Sequence, residues 1–194
     1  MNPCESAAEI LPGIYQWSGY SPQHRVVLSS TAVLTDTGWW VFDPIPLAPV
    51  GKRFLGKNEV MAIVLTNENH ERAAGQWASE LSTEIWAAPD AALGRAQVRR
   101  WTSVAAFPGW TLCSLPGGAG GETAWFQPRR SLMVFGDAVV NLPDRSLEIL
   151  PDKYCRDPSQ LRRSLRRLPA FEHAVFAHGE PLLGGAALRL AALL

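Results

Sequence analysis

The stretch Asn67-Glu68-Asn69-His70-Glu71-Arg72 gathers side chains that ligate ions, move protons or hold charge. Asp137, behind Gly136, and His178, ahead of Gly179, add a carboxylate and an imidazole. Carboxylates and imidazoles together are ligand types for divalent ions and working pairs for acid–base chemistry. Each residue also has a structural duty to offer. Asn67 and Asn69 precede a helical pattern, where Asn caps a helix or shapes a turn. Glu71 in a first helical turn complements the helix dipole, Arg72 suits the surface of the same helix, and Asp137 suits a turn. His178 suits a hydrogen-bonded loop, and His24 stands with no motif around it. Other chemistries are excluded. The Gly117-Gly118 and Gly120-Gly121 pairs lack the strand–GxGxxG–helix context of a dinucleotide site and the Lys-Ser/Thr of a P-loop. No Gly-x-Ser-x-Gly nucleophile elbow occurs. Cys4, Cys113 and Cys155 are far apart with no CxxC spacing, which suits a reducing compartment better than a disulfide framework.

The elements that must position these residues read as follows. Ile10 to Gly19, with Pro12-Gly13, Arg25 to Thr35 and Trp39 to Asp43 read as strands, the last two joined by an Asp36-Thr37-Gly38 turn. A Pro-rich loop follows Asp43. Val60 to Leu65 is a continuous apolar run, the mark of a strand buried on both faces. His70 to Leu81 carries Ala73, Ala74, Trp77, Ala78 and Leu81 at helical spacing, and Ile85 to Ala87 completes a strand–helix–strand unit. Trp110 to Leu115, Glu122 to Gln127 and Ser131 to Phe135 read as further strands. Pro158 to Leu168 is an amphipathic helix with Leu161, Leu165 and Leu168 inward and four arginines on a solvated outer face. His173 to Ala177 is a last strand, and a helix is expected from Pro181 onward. The tryptophans on these elements are expected in core or inter-sheet packing.

With 194 residues, 47% hydrophobic and 19% charged, the chain has an ordinary globular composition and no linker that would split it. The formal net charge is zero, which argues against nucleic acid or an anionic membrane as partner. No apolar run approaches the ~20 residues of a membrane span. The N-terminal MNPCESAAEI has neither a basic nor an apolar signal region, so a cytoplasmic location is expected.

In their order along the chain these stretches resemble the metallo-β-lactamase superfamily. Val41-Phe42-Asp43-Pro44 is similar to its Asp-rich turn, and Thr66 to Arg72 lies where the family has Thr-His-x-His-x-Asp-His. Leu115 to Gly121 is similar to its Pro-Gly-His turn, Val134 to Asp137 to its strand ending in Gly-Asp, and Phe176 to Gly179 to its Gly-His-Gly end. The resemblance implies one α/β (α+β) domain over residues 1–194. Its architecture would be a four-layer αββα sandwich of two mixed β-sheets flanked by helices. It also implies a pocket built from Asn67, Asn69, His70, Glu71, Arg72, Gly118, Asp137 and His178.

In the family this pocket holds up to two zinc-like ions. Here the three histidine positions of the first ion read Asn67, Asn69 and Gly118, which are poor ligands or none. The second set reads Glu71, Arg72, Asp137 and His178. On this reading no metal cofactor is held, and Arg72 takes the metal's place by pairing with Asp137, Glu71 or both, since unpaired buried charge is costly. The protein would bind an unidentified small molecule or protein through the old cleft without hydrolysing it. The alternative is a hydrolase of esters, thioesters or amides with one divalent ion (zinc, manganese or iron) on Glu71, Asp137 and His178, with His70 in support. A third reading is a structural subunit beside an active paralogue, and a homodimer is compatible with all three. Substrate choice would lie in the loops Pro44 to Lys57 and Asn141 to Asp157.

Overall fold

The structure, a computed structural model, describes residues 1–94, 97–102, 107–143 and 145–194. Asp144, in the second of those loops, lies outside them. The first half forms β1 (Ala8–Leu11), β2 (Ile14–Ser21), β3 (Val26–Thr35), β4 (Gly38–Phe42), β5 (Val60–Val64), β6 (Ile85–Ala87) and β7 (Val98–Arg100). Among the described residues these make a seven-stranded sheet in sequential order, antiparallel from β1 to β4 and parallel from β4 to β7. The expected strand over Ile10 to Gly19 is two strands, because Pro12-Gly13 reverses the chain between β1 and β2, with Gly13 at φ +71°.

The second half supplies β8 (Thr111–Ser114), β9 (Thr123–Gln127), β10 (Leu132–Phe135), β11 (Val139–Asn141), β12 (Leu147–Ile149), β13 (His173–Phe176) and β14 (Leu182–Leu183). Among the described residues a five-stranded sheet runs β14-β13-β10-β9-β8, with β10 and β13 parallel, and β11 pairs β12 alongside. The helices are α1 (Ala74–Leu81), α2 (Pro158–Leu165) and α3 (Ala186–Ala191). The expected mixed sheets flanked by helices are present.

Strand alternation explains the layers, because successive side chains leave opposite faces. On β4, Trp40 and Phe42 turn toward the second sheet and meet Trp110 and Trp125, while Trp39 turns outward to Tyr15 and Phe54. On the outer face of the first sheet, Trp17 stacks on Trp77 of α1. In the second sheet Val134 and Val175 face the inter-sheet core. Met133, Phe135, Ala174 and Phe176 face Leu161 and Leu165 of α2 and Leu190 of α3. Each such aromatic pair contributes roughly 0.5–1.5 kcal/mol beyond its buried area.

Backbone bonds tie the sheets together where the parallel strands end. Ser29 N donates to Ala177 O at 2.8 Å, and Thr123 N donates to Thr66 O at 2.8 Å. The carboxyl ends of β4, β5, β10 and β13 therefore converge, the place where α/β sheets present their functional groups.

Candidate functional site

Asp43, just past β4, is the floor of this convergence. It is buried, and its Oδ1 accepts from Thr66 N at 2.8 Å while its Oδ2 accepts from Thr66 Oγ1 at 2.6 Å. Because the Thr66 hydroxyl gives its proton to Asp43, His70 Nδ1, 3.0 Å from the same Oδ2, carries a proton of its own. His70 Nε2 lies 3.1 Å from Asp137 Oδ1. The ring thus spans two carboxylates. Burial and the Arg72 guanidinium lower its pKa, but Asp137 and Asp43 outweigh them and raise it to about 9. His70 is an imidazolium at neutral pH. Asp43 is held below its ordinary value in return, against burial, by His70 and Arg72. Asp137 is held well below its own, against burial, by His70 and His178.

His178 Nε2 stands 3.0 Å from the same Asp137 oxygen, and its Nδ1 donates to Val27 O at 3.2 Å. Burial lowers its pKa, with Arg72 and His70 adding to this and Asp137 opposing it. His70, Asp137 and His178 bring their ligand atoms within 4.8 Å of one another, so this group could hold a metal ion.

The helix expected over His70 to Leu81 begins only at Ala74. Residues 70–73 form a turn in which Arg72 takes a left-handed φ of +37°. Neither Asn caps the helix: its N-cap is Ala73, without a side-chain bond. Asn67 instead shapes the turn, its Oδ1 accepting from Asn69 N at 2.8 Å.

That turn overturns two expectations. The expected partnership of Arg72 with Asp137 or Glu71 gives way to backbone capping. Arg72 Nη1 donates to Ser29 O at 2.8 Å and Asp43 O at 3.1 Å, and Nη2 donates to Ala177 O at 3.2 Å. Among the described residues no direct ion pair joins it to Asp137. Its Nη2 lies 3.4 Å from His178 Nε2. Glu71, expected beside Asp137 and His178, does not join them. With α1 starting later, successive turn residues diverge, so His70 and Arg72 point inward and the Glu71 carboxylate points toward Gly94.

Asn67 Nδ2 donates both to Asp137 Oδ2 at 3.0 Å and to Glu122 Oε2 at 2.9 Å, and Asn69 Nδ2 donates to Asp137 Oδ2 at 3.3 Å. Gly118 has no side chain, and Glu122 fills the volume: a Cβ at position 118 would meet Glu122 Cγ at 2.8 Å. Glu122 also accepts from Ala138 N at 3.0 Å. Burial and the nearby Asp137 charge raise its pKa to about 8, so it is largely a neutral acid at pH 7. Asp43, Thr66 and Glu122 are site residues absent from the expected pocket. The available signal for Glu122 was a lone carboxylate at the head of a strand with no other charged residue.

Outside this core lies an open cleft of about 610 Å³, floored by Asp137 and His178 and walled by the β2–β3 hairpin and residues of the 140–154 segment.

The family model described as the metallo-β-lactamase superfamily matches residues 8–179, and the chain belongs to that superfamily. Solved structures agree on the fold. The DIM-1 metallo-β-lactamase is 16% identical, with a TM-score of 0.75 over 98% of this chain and 97% of that one. A metallo-β-lactamase from Erythrobacter litoralis is 14% identical, with a TM-score of 0.73 over 96% and 94%. One from Pontibacter korlensis is 16% identical, with a TM-score of 0.72 over 96% of each. No curated protein sequence matches significantly. No helix among the described residues is long and apolar enough to cross a membrane.

The two-ion donor set of such a fold does not fit the residues present. The first histidine positions carry two amides engaged with carboxylates and a glycine whose side-chain volume Glu122 fills. The group His70, Asp137 and His178 fits a single ion by donor type.

Proposed function

We propose that this protein is a metal-free member of its superfamily that binds a small molecule or a protein partner in the cleft above Asp137 and His178 without hydrolysing it. The observation that carries this reading is the position of His70. Its imidazolium lies between Asp43 and Asp137 and supplies the positive charge that an ion would otherwise bring to those carboxylates. Two cations, the buried His70 and the half-buried Arg72, balance two carboxylates, the buried Asp43 and the half-buried Asp137, so the centre is neutral as built. A net neutral, hydrogen-bonded cluster has little to gain from a further divalent cation.

One observation favours a second reading, a hydrolase with a single zinc, manganese or iron ion on His70, Asp137 and His178. Both imidazoles have Nδ1 fixed by an acceptor, Asp43 for His70 and Val27 O for His178. That is how ligating histidines are oriented toward a metal. A bound ion would supply a Lewis acid and an activated water for an ester, thioester or amide. The Arg72 guanidinium, 3.4 Å from His178 Nε2, opposes a cation there.

Elemental analysis of protein purified without chelator separates the two. The metal-free reading expects well below one ion per chain, and no rise in melting temperature on adding zinc or manganese. A stoichiometric ion, or a rise lost in the His178→Ala variant, would replace it with the hydrolase.

A further inference from the structure

We infer that the cleft takes an organic anion carrying a flat ring, its acidic group met by Arg25 and Arg145 and its ring held between Tyr20 and Tyr154. This deepens the binding role proposed above and rests on it.

The charge of the cleft comes from its lip. At the floor the Asp137 carboxylate is already engaged, its Oδ2 by the Asn67 and Asn69 amides and its Oδ1 by His70 and His178. Among the described lining residues, the lip holds Arg25 and Arg145 against the single carboxylate of Glu148. Glu148 stands 3.8 Å from Arg145, with both side chains exposed, so it only weakly satisfies that guanidinium. No described carboxylate pairs with Arg25. Arg25 sits in the left-handed region at φ +55°, closing the hairpin through a bond from its N to Ser21 O at 2.7 Å. A side chain rarely adopts that conformation, and here it sets the arginine at the cleft edge. The guanidinium's planar fork suits carboxylate and phosphate oxygens.

The ring follows from exposure. Tyr20 is 59% exposed and Tyr154 62%, and both line this cleft. Tyr20 comes from the end of β2 and Tyr154 from the turn at Asp152–Tyr154. The Lys153 ammonium lies over one face of the Tyr154 ring, 4.7 Å from its centroid. Two exposed aromatic rings in one apolar-walled cleft, beside a few charged groups, have the make-up of a small-molecule site.

The probes are benzylphosphonate and phenylacetate, titrated by calorimetry into chelator-treated protein of measured metal content. Benzyl alcohol serves as the neutral ring and inorganic phosphate as the anion without a ring. Both aryl anions are expected to bind saturably, at least about tenfold more tightly than either control. Binding should weaken at least about tenfold in Arg25→Ser or Arg145→Ser, and with rising salt. Both arginines are exposed, so near-UV circular dichroism should be unchanged in the variants. Tyr154→Ala should weaken the aryl anions and leave inorganic phosphate unaffected. Absence of saturable binding, equal binding of benzyl alcohol, or binding indifferent to both arginines overturns the inference. Such a failure in ion-free protein leaves the metal-free reading intact. Arginine-dependent binding in protein that carries a stoichiometric ion supports the inference while overturning that reading.

Discussion

Arg72 is the residue whose removal says most about how the centre is held. Its guanidinium serves carbonyls of β3, the end of β4 and the end of β13, joining both sheets with one side chain. Arg72→Met keeps much of the volume, but leaves Asp43 and Asp137 with one neighbouring cation instead of two. Breaking such a compensated group costs on the order of 3 kcal/mol, and urea denaturation should show a loss of that size. Arg72→Lys restores the charge without the fork and should recover only part of it. The importance of Arg72 was legible in the sequence, but its partners were not. A side chain this long reaches wherever its backbone aims it, and that direction came from a left-handed φ no motif announces. Asp137 and His178 were legible because they follow strands whose ends fix them. His70 was read only as a supporting residue, since its inward aim depends on the same turn. The Asn67 amide, read as a cap or turn former, also ties Glu122 to Asp137 across 55 and 70 residues of sequence.

At the scale of elements, long strands declared themselves, and of the strands of two or three residues only β6 did, as the close of the strand–helix–strand unit around α1. β3 has ten residues rich in β-branched types, whereas β7, β11 and β12 have three each and β14 two. Three residues are too few for a period of two to show against chance. β14 also occupies the start of the segment expected as a terminal helix, so α3 begins at Ala186. The start of α2 was legible, and its cap can be tested. Asp157 accepts from Gln160 N at 2.8 Å with Pro158 behind it, so Asp157→Ala should cost about 1 kcal/mol in thermal or urea unfolding. Gly179 is the stronger constraint. It sits at φ +97°, and a Cβ there would collide with the Asn141 carbonyl. Gly179→Ala must shift the strand end that carries His178. It should destabilise the fold by more than the ~1 kcal/mol of a surface glycine replacement, and alter the histidine's NMR signals as well.

For the whole molecule the buried charges predict an unusual pH dependence, and the signs can be worked out group by group. His70 has its folded pKa raised from 6.5 to about 9. Its contribution is complete below 6.5 and is lost as pH climbs through 9. Glu122 is raised from 4.5 to about 8. The folded chain therefore keeps a proton the unfolded chain has released, and stability falls between those values as pH rises. Asp43 and Asp137, both lowered, stabilise above the ordinary value of 3.8 and lose that contribution only as pH falls through their folded values. His178, lowered from 6.5, opposes the other two groups only on the acid side of 6.5. Between pH 6.5 and 9 His70 and Glu122 thus act with one sign. At about 1.4 kcal/mol per pH unit for each proton, the loss is on the order of a few kcal/mol, or roughly 10 °C in melting temperature. Melting curves at steps across this window should show a steady decline. Glu122→Gln should flatten its lower part, up to about pH 8. His70→Gln should lower stability at pH 6 and flatten the remainder. A melting temperature constant from pH 6.5 to 9 in the metal-free protein would mean that His70 is not the imidazolium joining Asp43 to Asp137, and the reading of the centre as self-neutralised would fall with it.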